Sequence, residues 1–241
     1  HHHSRFAGTD KVKVLENINR SQQTAHEFLK TANWLIITPG TSFSYRLTPD
    51  SPGTGGVANC HRAPHSWFYK HLMSIEEINS ALDNCLHQLF RFNESLQIIF
   101  TVSPVRHIRD GVIENNRSKA RLLEVVHNLV NKFDRLHYFP SYELVIDVLR
   151  DYRFYDVDMV HPNYQGTQFV LEKFMQHCVD ESSRHLSEDI QKLVIARRHK
   201  AFQPDTAAHK KFLQAHLEKA KAMQKQYPFL DLRQEIEYFG S

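Results

Sequence analysis

Two short apolar runs, each closed by a proline, limit what this chain can fold into. One is "NWLIITPG" at 33–40 and the other is "LQIIFTVSP" at 96–104. Both are continuously apolar rather than alternating, hold β-branched residues, and are too short for a buried helix, so they read as strands covered on both faces. A helical pattern precedes each. Val12, Val14, Leu15, Ile18, Ala25, Phe28 and Leu29 recur at helical spacing from Lys11 to about Thr31. A second helix is expected from about Ser74, with Glu76 and Glu77 in its first turn, to about Phe92. The series continues with a helix from about Arg117 to Phe133, a strand "LHYF" at 136–139, and a helix from about Ser141 to Arg150. Strands that alternate with helices are joined by crossovers and therefore lie parallel. The expected fold class is α/β, a three-layer α/β/α sandwich with a mainly parallel sheet. Ligands of such sheets bind at the carboxyl ends of the strands, so the segments that matter are "PGTS", "SPVRH" and the residues after "YFPSYE".

Between the first strand and the second helix, "FSYRLTPDSPGTGGVAN" at 43–59 carries a Gly-rich stretch, Gly53 to Gly56, and reads as a β-excursion with a tight turn. It leads into the aromatic and basic segment "HRAPHSWFYKH". The helix "YQGTQFVLEKFMQHCV" closes the α/β domain, which is assigned to 1–182. Residues 183–241 form a helical C-terminal extension, in which Phe212, Leu213, Leu217 and Ala220 make a narrow stripe. The extension reads as a helical hairpin packed either on the core or on a second copy of the chain. Glu and Asp interleaved with its lysines argue against a nucleic-acid role.

With 241 residues, 41% of them hydrophobic, the chain can bury a core and suits one domain with an appendage. No apolar run approaches the ~20 residues that span a bilayer, so no membrane partner is expected. Lys and Arg total 30 against 27 Asp and Glu, a net charge of +3 that is too small to call for nucleic acid. Cys60, Cys85 and Cys178 lie far apart without CxxC spacing, which speaks against a zinc site and a disulfide framework and fits a reducing cytoplasm. The leading "HHHS" reads as the tail of a purification tag or as native sequence.

The stretch "DVDMVHPNYQG" at 156–166 carries the chemistry. An Asp and a His three apart in a tight turn can set the carboxylate of Asp158 against one imidazole nitrogen of His161. The other nitrogen is then free to take a proton from a hydroxyl. Pro162 can open a helix at its first position, which would bring the imidazole to a helix N-terminus. The competing reading is structural, with Asp158 capping the following helix beside an exposed His161. A metal set of His61, His65, His107 and His161 is conceivable among 17 histidines, but no i, i+4 pair on an expected helix and no HxH spacing supports it. Neither a metal nor another cofactor is expected. Arg106, His107 and Asp110 either bind an anionic substrate group at the strand end, Arg106 through its planar fork, or form a salt-bridged loop that anchors "DVDMVHPN".

The strings "RDYRFYDVDMVHPNYQG", "LIITPGTS", "VANCHRAP" and "IIFTVSPVRHIRDGVIENNRSKARLL" together resemble the GSCFA family, which is similar to SGNH or GDSL-type hydrolases. The resemblance runs from about residue 10 to about 180. It implies that Asp158 and His161 supply the acid and base of a catalytic triad. It also implies that "LIITPGTS" ends in the oxyanion element, with Gly40 in the glycine position and Ser42 where SGNH enzymes carry Asn. Because of that departure, Asn59 or backbone amides are alternative oxyanion donors. The family's nucleophile is the serine of its Gly-Ser-Cys-Phe-Ala string, which this chain lacks, as it lacks the strand before it. The expectation is a chain that begins after that strand, with the nucleophile upstream of residue 1.

Ser42, Ser103 and Cys60 are the candidates for a nucleophile inside the chain. Each has a plainer role: a turn residue, an extended residue before Pro104, and a small buried side chain. The function implied is a serine esterase or acylhydrolase that works through an acyl-serine on a small-molecule ester. Trp67, Phe68 and Tyr69 are on hand as an apolar or sugar-stacking wall. The alternatives are a binding or scaffold module without chemistry, and an acyltransferase on the same triad.

Overall fold

The computed structural model describes residues 3–57, 60, 63–199 and 205–240. They divide into two compact units, 1–170 and 171–241.

The first unit opens with α1 (Lys11–Thr31), which starts where the Asp10 carboxylate accepts the Val12 and Lys13 amides. After it come β1 (Trp34–Ile37), β2 (Phe43–Leu47), β3 (Gly56–Val57) and β4 (Phe68–Leu72). The helix α2 (Ile75–Phe92) begins in a capping box, in which the Ser74 hydroxyl accepts the Glu77 amide and the Glu77 carboxylate accepts the Ser74 amide. Then come β5 (Gln97–Phe100), α3 (Val112–Lys132), β6 (Leu136–Tyr138) and one α-turn, α4 (Ser141–Glu143), which widens into a π-helical segment at Leu144–Val148. The last helix, α5 (Tyr164–Cys178), starts in the first unit and ends in the second.

The chain is mixed α/β, and β1, β5 and β6 form a parallel sheet in the order β1-β5-β6, with Trp34 opposite Gln97 and Ile98 opposite Leu136. The inner face of that sheet meets α2 and α3. Ile98, Phe100, Leu86, Phe90, Leu122, Val125, Val126 and Leu129 are buried together there, with Leu35 and Ile37 against them. Asn93, buried past the end of α2, donates to the carbonyls of Leu29 and Ala32 at 2.8 Å each and so ties down the end of α1.

Three expectations need correction. The first strand is not covered on both faces: β1 is an edge of the sheet, and Trp34 and Ile36 on its outer face are about half exposed, at 53% and 51%. The excursion holds a strand where the sequence pattern indicates only an aromatic and basic segment. Phe68–Leu72 pairs antiparallel with β2 in a second sheet, β3-β2-β4. Third, α3 starts at Val112, five residues before the expected start at about Arg117, because its first turns carry polar side chains on the inward face.

In the second unit, α6 (Glu181–Arg198), α7 (Ala207–Gln226) and α8 (Arg233–Gly240) bury Leu193, Ala196, Ala220, Met223, Leu232 and Phe239. The sequence pattern points to a hairpin; a third helix completes this core. Arg197 of α6 pairs with the buried Glu235 of α8 at 3.3 Å.

Candidate functional site

The segment between a short 3-10 turn at Tyr152–Phe154 and α5 closes on itself as a small loop. Tyr155 is buried and bridges to Pro162 in antiparallel fashion, and the Asp156 amide donates to the His161 carbonyl at 2.8 Å. At the tip, the Met159 amide donates to the Asp156 carbonyl at 2.9 Å, and Met159 takes φ +56°, the one positive φ at a non-glycine among the described residues. This left-handed residue turns the chain so that Asp158 faces forward. Its Oδ1 accepts the Val160 and His161 amides at 2.9 and 3.0 Å, and its Oδ2 lies 2.6 Å from His161 Nδ1. The sequence spacing DxxH thus becomes a carboxylate–imidazole pair.

The foot of the loop is fastened by Asn163. Its amide group donates to the carbonyls of Arg153 at 2.7 Å and Tyr155 at 3.3 Å, while its Oδ1 accepts the Gly166 amide in the first turn of α5. Asn163 is therefore the helix cap. Pro162 does not open the helix at its first position, as expected, but stands before the cap in the bridge to Tyr155. Gly166 allows the close return of the loop, since a Cβ there would lie 2.8 Å from the Phe154 carbonyl oxygen.

His161 and Asp158 are both well exposed, with side chains 59% and 45% accessible. The hydrogen bond from the His161 ring, followed by the two amide donors, holds the Asp158 carboxyl down at about 2. The carboxylate therefore stays ionised wherever the imidazole can act as a base. With Nδ1–H donated to Asp158, Nε2 is the nitrogen left to accept a proton.

A second group of residues sits at the carboxyl ends of β1 and β5. Lys119 of α3 is 1% exposed and donates from Nζ to the carbonyls of Gly40 at 2.5 Å and Ser103 at 2.6 Å, which joins the two strand ends. Burial pushes its pKa down to about 8. His107 Nε2 stands 3.5 Å from where a Cβ on Gly40 would be, an ordinary contact distance, so the ring lies beside Gly40. The packed side of the His107 ring, and then the Lys119 ammonium, lower its pKa, which favours a neutral imidazole. Its backbone amide is held by Asn115 Oδ1 at 2.9 Å, and Asp110 pairs with Lys70 of β4.

Arg106 connects the two groups. Nη1 donates to the Met159 carbonyl at 2.9 Å, Nη2 donates to the Tyr155 hydroxyl at 3.2 Å, and the guanidinium lies 4.4 Å above the Tyr155 ring. Of the two roles considered for it, the anchoring of "DVDMVHPN" is the one its bonds serve, through a carbonyl and a phenol rather than a salt bridge. Ser42, the residue expected in the oxyanion element, is tied to α3. It is buried, its amide donates to Ser118 Oγ at 2.7 Å, and its hydroxyl donates to the Ser118 carbonyl at 3.2 Å. Both of its donors are engaged inside the fold. Ser103 Oγ accepts the Val105 amide, and Cys60 is half-buried. Asn59 and His61 lie outside the described residues. Among the described residues no three His, Cys, Asp or Glu side chains converge as a metal set, and His65, His107 and His161 are not brought together. Trp67, Phe68 and Tyr69 belong to the excursion, where Tyr69 is exposed.

Sequence reasoning passed over Asn115, Ser118 and Lys119. Their signal was present: they continue the inward face of Leu122, Val125, Val126 and Leu129 at helical spacing, toward the strand ends. Polar residues on a buried stripe mark the place where the core meets a site.

Residues 1–174 match the model of the GSCFA family, and residues 190–241 match that of the GSCFA domain protein, C-terminal domain. No curated protein and no solved structure matches the chain.

Proposed function

The chain belongs to the GSCFA family, and from that premise we propose that it forms part of an SGNH-type serine esterase in which Asp158 orients His161 as the general base. The observation that carries the reading is the 2.6 Å contact between Asp158 Oδ2 and His161 Nδ1 in an exposed turn. Exposed ion pairs of this kind add little stability, so the geometry is better explained by use than by folding. In this reading Nε2 takes the proton of a serine hydroxyl as its oxygen adds to the ester carbonyl. The imidazolium returns that proton to the departing alcohol, and water then repeats the cycle on the acyl-serine. Gly40 and His107, at the strand ends, are assigned to the oxyanion side.

The serine is assigned to a strand upstream of residue 1. Support comes from β1, whose one described partner is β5 and whose outer face leaves Trp34 and Ile36 half exposed. A parallel sheet is ordinarily covered at such a place. No described helix is long and apolar enough to cross a membrane. The second reading is a binding module without chemistry, which the engaged donors of Ser42 favour.

A fluorophosphonate probe, which reacts with activated serines, separates the two when applied to this chain and to the chain extended upstream, with peptide mapping. Labelling of the extended chain at an upstream serine, lost in His161→Ala, is the expected result. No labelling of either chain would falsify the esterase reading. Transfer of the acyl group to an added alcohol in preference to water would make the enzyme an acyltransferase.

A further inference from the structure

We infer that Arg106 is the positioning residue of the Asp158–His161 pair, setting the imidazole tautomer through the left-handed Met159 turn. The inference rests on the reading of that pair as base and orienter, and goes beyond it by naming what holds the pair in place.

The turn needs a support outside itself. A residue with a Cβ is disfavoured in the left-handed region, and Met159 is 59% exposed, so packing offsets only part of that cost. An exposed carboxylate–imidazole contact cannot supply the missing support, because water competes for both groups. The two peptides that come after Met159 are nevertheless the ones whose N–H groups, at Val160 and His161, clasp Asp158 Oδ1. Rotation at Met159 would withdraw both amides and release the imidazole.

Arg106 is bonded where that rotation would begin. Nη1 takes the Met159 carbonyl, and Nη2 takes the hydroxyl of Tyr155, the residue that pairs with Pro162 at the base of the loop. The planar guanidinium spans tip and base at once and stacks over the Tyr155 ring, and Tyr152 lies 5.5 Å from it. Because Arg106 comes six residues after β5 and precedes His107, the same residue fixes the turn relative to the strand ends. Lysine has a point charge in place of the fork and cannot serve both acceptors in that geometry.

The test is nitrogen NMR of the His161 ring at a pH where it is neutral, on this chain, with His161→Ala to assign the signals. The native ring should carry its proton on Nδ1, facing Asp158. In Arg106→Gln the population should move to the Nε2–H form that a free imidazole prefers, with the rest of the spectrum unchanged. Arg106→Lys should give a mixture of the two, and it carries the test should Arg106→Gln not fold. An Nδ1–H ring that persists unchanged in these variants would overturn the inference. The measurement needs no nucleophile, so an extended chain that fails to label would end the esterase reading and leave the role of Arg106 standing.

Discussion

Gly166→Ala sets helix propensity against the geometry of the loop that carries Asp158 and His161. Gly166 is the third residue of α5, and in an isolated helix alanine would be favoured there by about 1 kcal/mol. Here a Cβ would lie 2.8 Å from the Phe154 carbonyl oxygen, 3.4 Å from Pro162 Cβ and 3.6 Å from Phe154 Cβ. The first contact is with backbone, so no rotamer change can relieve it, and overpacking of this sort costs about 1–3 kcal/mol. The Phe154 carbonyl also accepts the Asn163 amide at 2.9 Å, a bond worth about 1 kcal/mol that lengthens if the loop is pushed away. The gain in propensity and the weakened bond roughly cancel. The net expectation is a loss of about 1–3 kcal/mol, a drop in Tm of roughly 2–4 °C per kcal/mol for a chain of this length. Thermal melts of the two proteins, with amide exchange at Asn163 as the local probe, provide the measurement. A variant as stable as the native chain or more stable, with Asn163 equally protected, would show that the loop does not depend on the close approach at Gly166.

Other substitutions probe separate parts of the same unit. Asn93→Ala should cost about 2–3 kcal/mol in urea denaturation, since it strands the carbonyls of Leu29 and Ala32 at the end of α1; a loss under about 0.5 kcal/mol would refute that linkage. Lys119 loses its proton near pH 8 in the folded chain against about 10.5 when unfolded, so between those values the unfolded chain holds more protons and stability rises with pH. The stability of the native chain relative to Lys119→Met should therefore increase over that range; a flat difference would mean that the buried ammonium titrates normally. Asp158→Asn should slow probe labelling of the extended chain by about 10³–10⁴-fold, the loss expected when an orienting carboxylate no longer fixes the ring. The Asp158 carboxyl is depressed from 3.8 to about 2, so its contribution to stability is complete above the ordinary value and disappears as pH falls through about 2. The advantage of the native chain over Asp158→Asn in acid melts should vanish in that window.

The elements with strong local signals were readable from the sequence. The apolar runs of β1 and β5 and the helices between them are dictated by pattern and length, and the box at Ser74 by Ser and Glu three apart. The exposure of Trp34 and Ile36 was not readable, because a continuous apolar run looks the same whether one face of the strand or both are covered. Nor was β4, whose residues Phe68–Leu72 mix aromatic and basic side chains and become a strand through pairing with β2, a tertiary decision that overrides propensity.

At the candidate site the residues that meet locally could be read and those that meet across the fold could not. Asp158 and His161 are three apart, so the turn that joins them is written in their spacing. Arg106 reaches Met159 across 53 residues, and Lys119 reaches Gly40 across 79. Their side chains alone do not distinguish a solvated charge from a buried tie. What separates them is the topology: parallel strands deliver every carboxyl end to one edge, and a long cationic side chain placed there finds backbone carbonyls that the sheet has left without partners. Arg106 and Lys119 use those carbonyls in different ways, one from the half-exposed rim and one from the core. A charged residue on the inward stripe of a crossover helix, or just past a strand's end, is on that reasoning the place to look for the support of an active-site loop before a ligand is invoked.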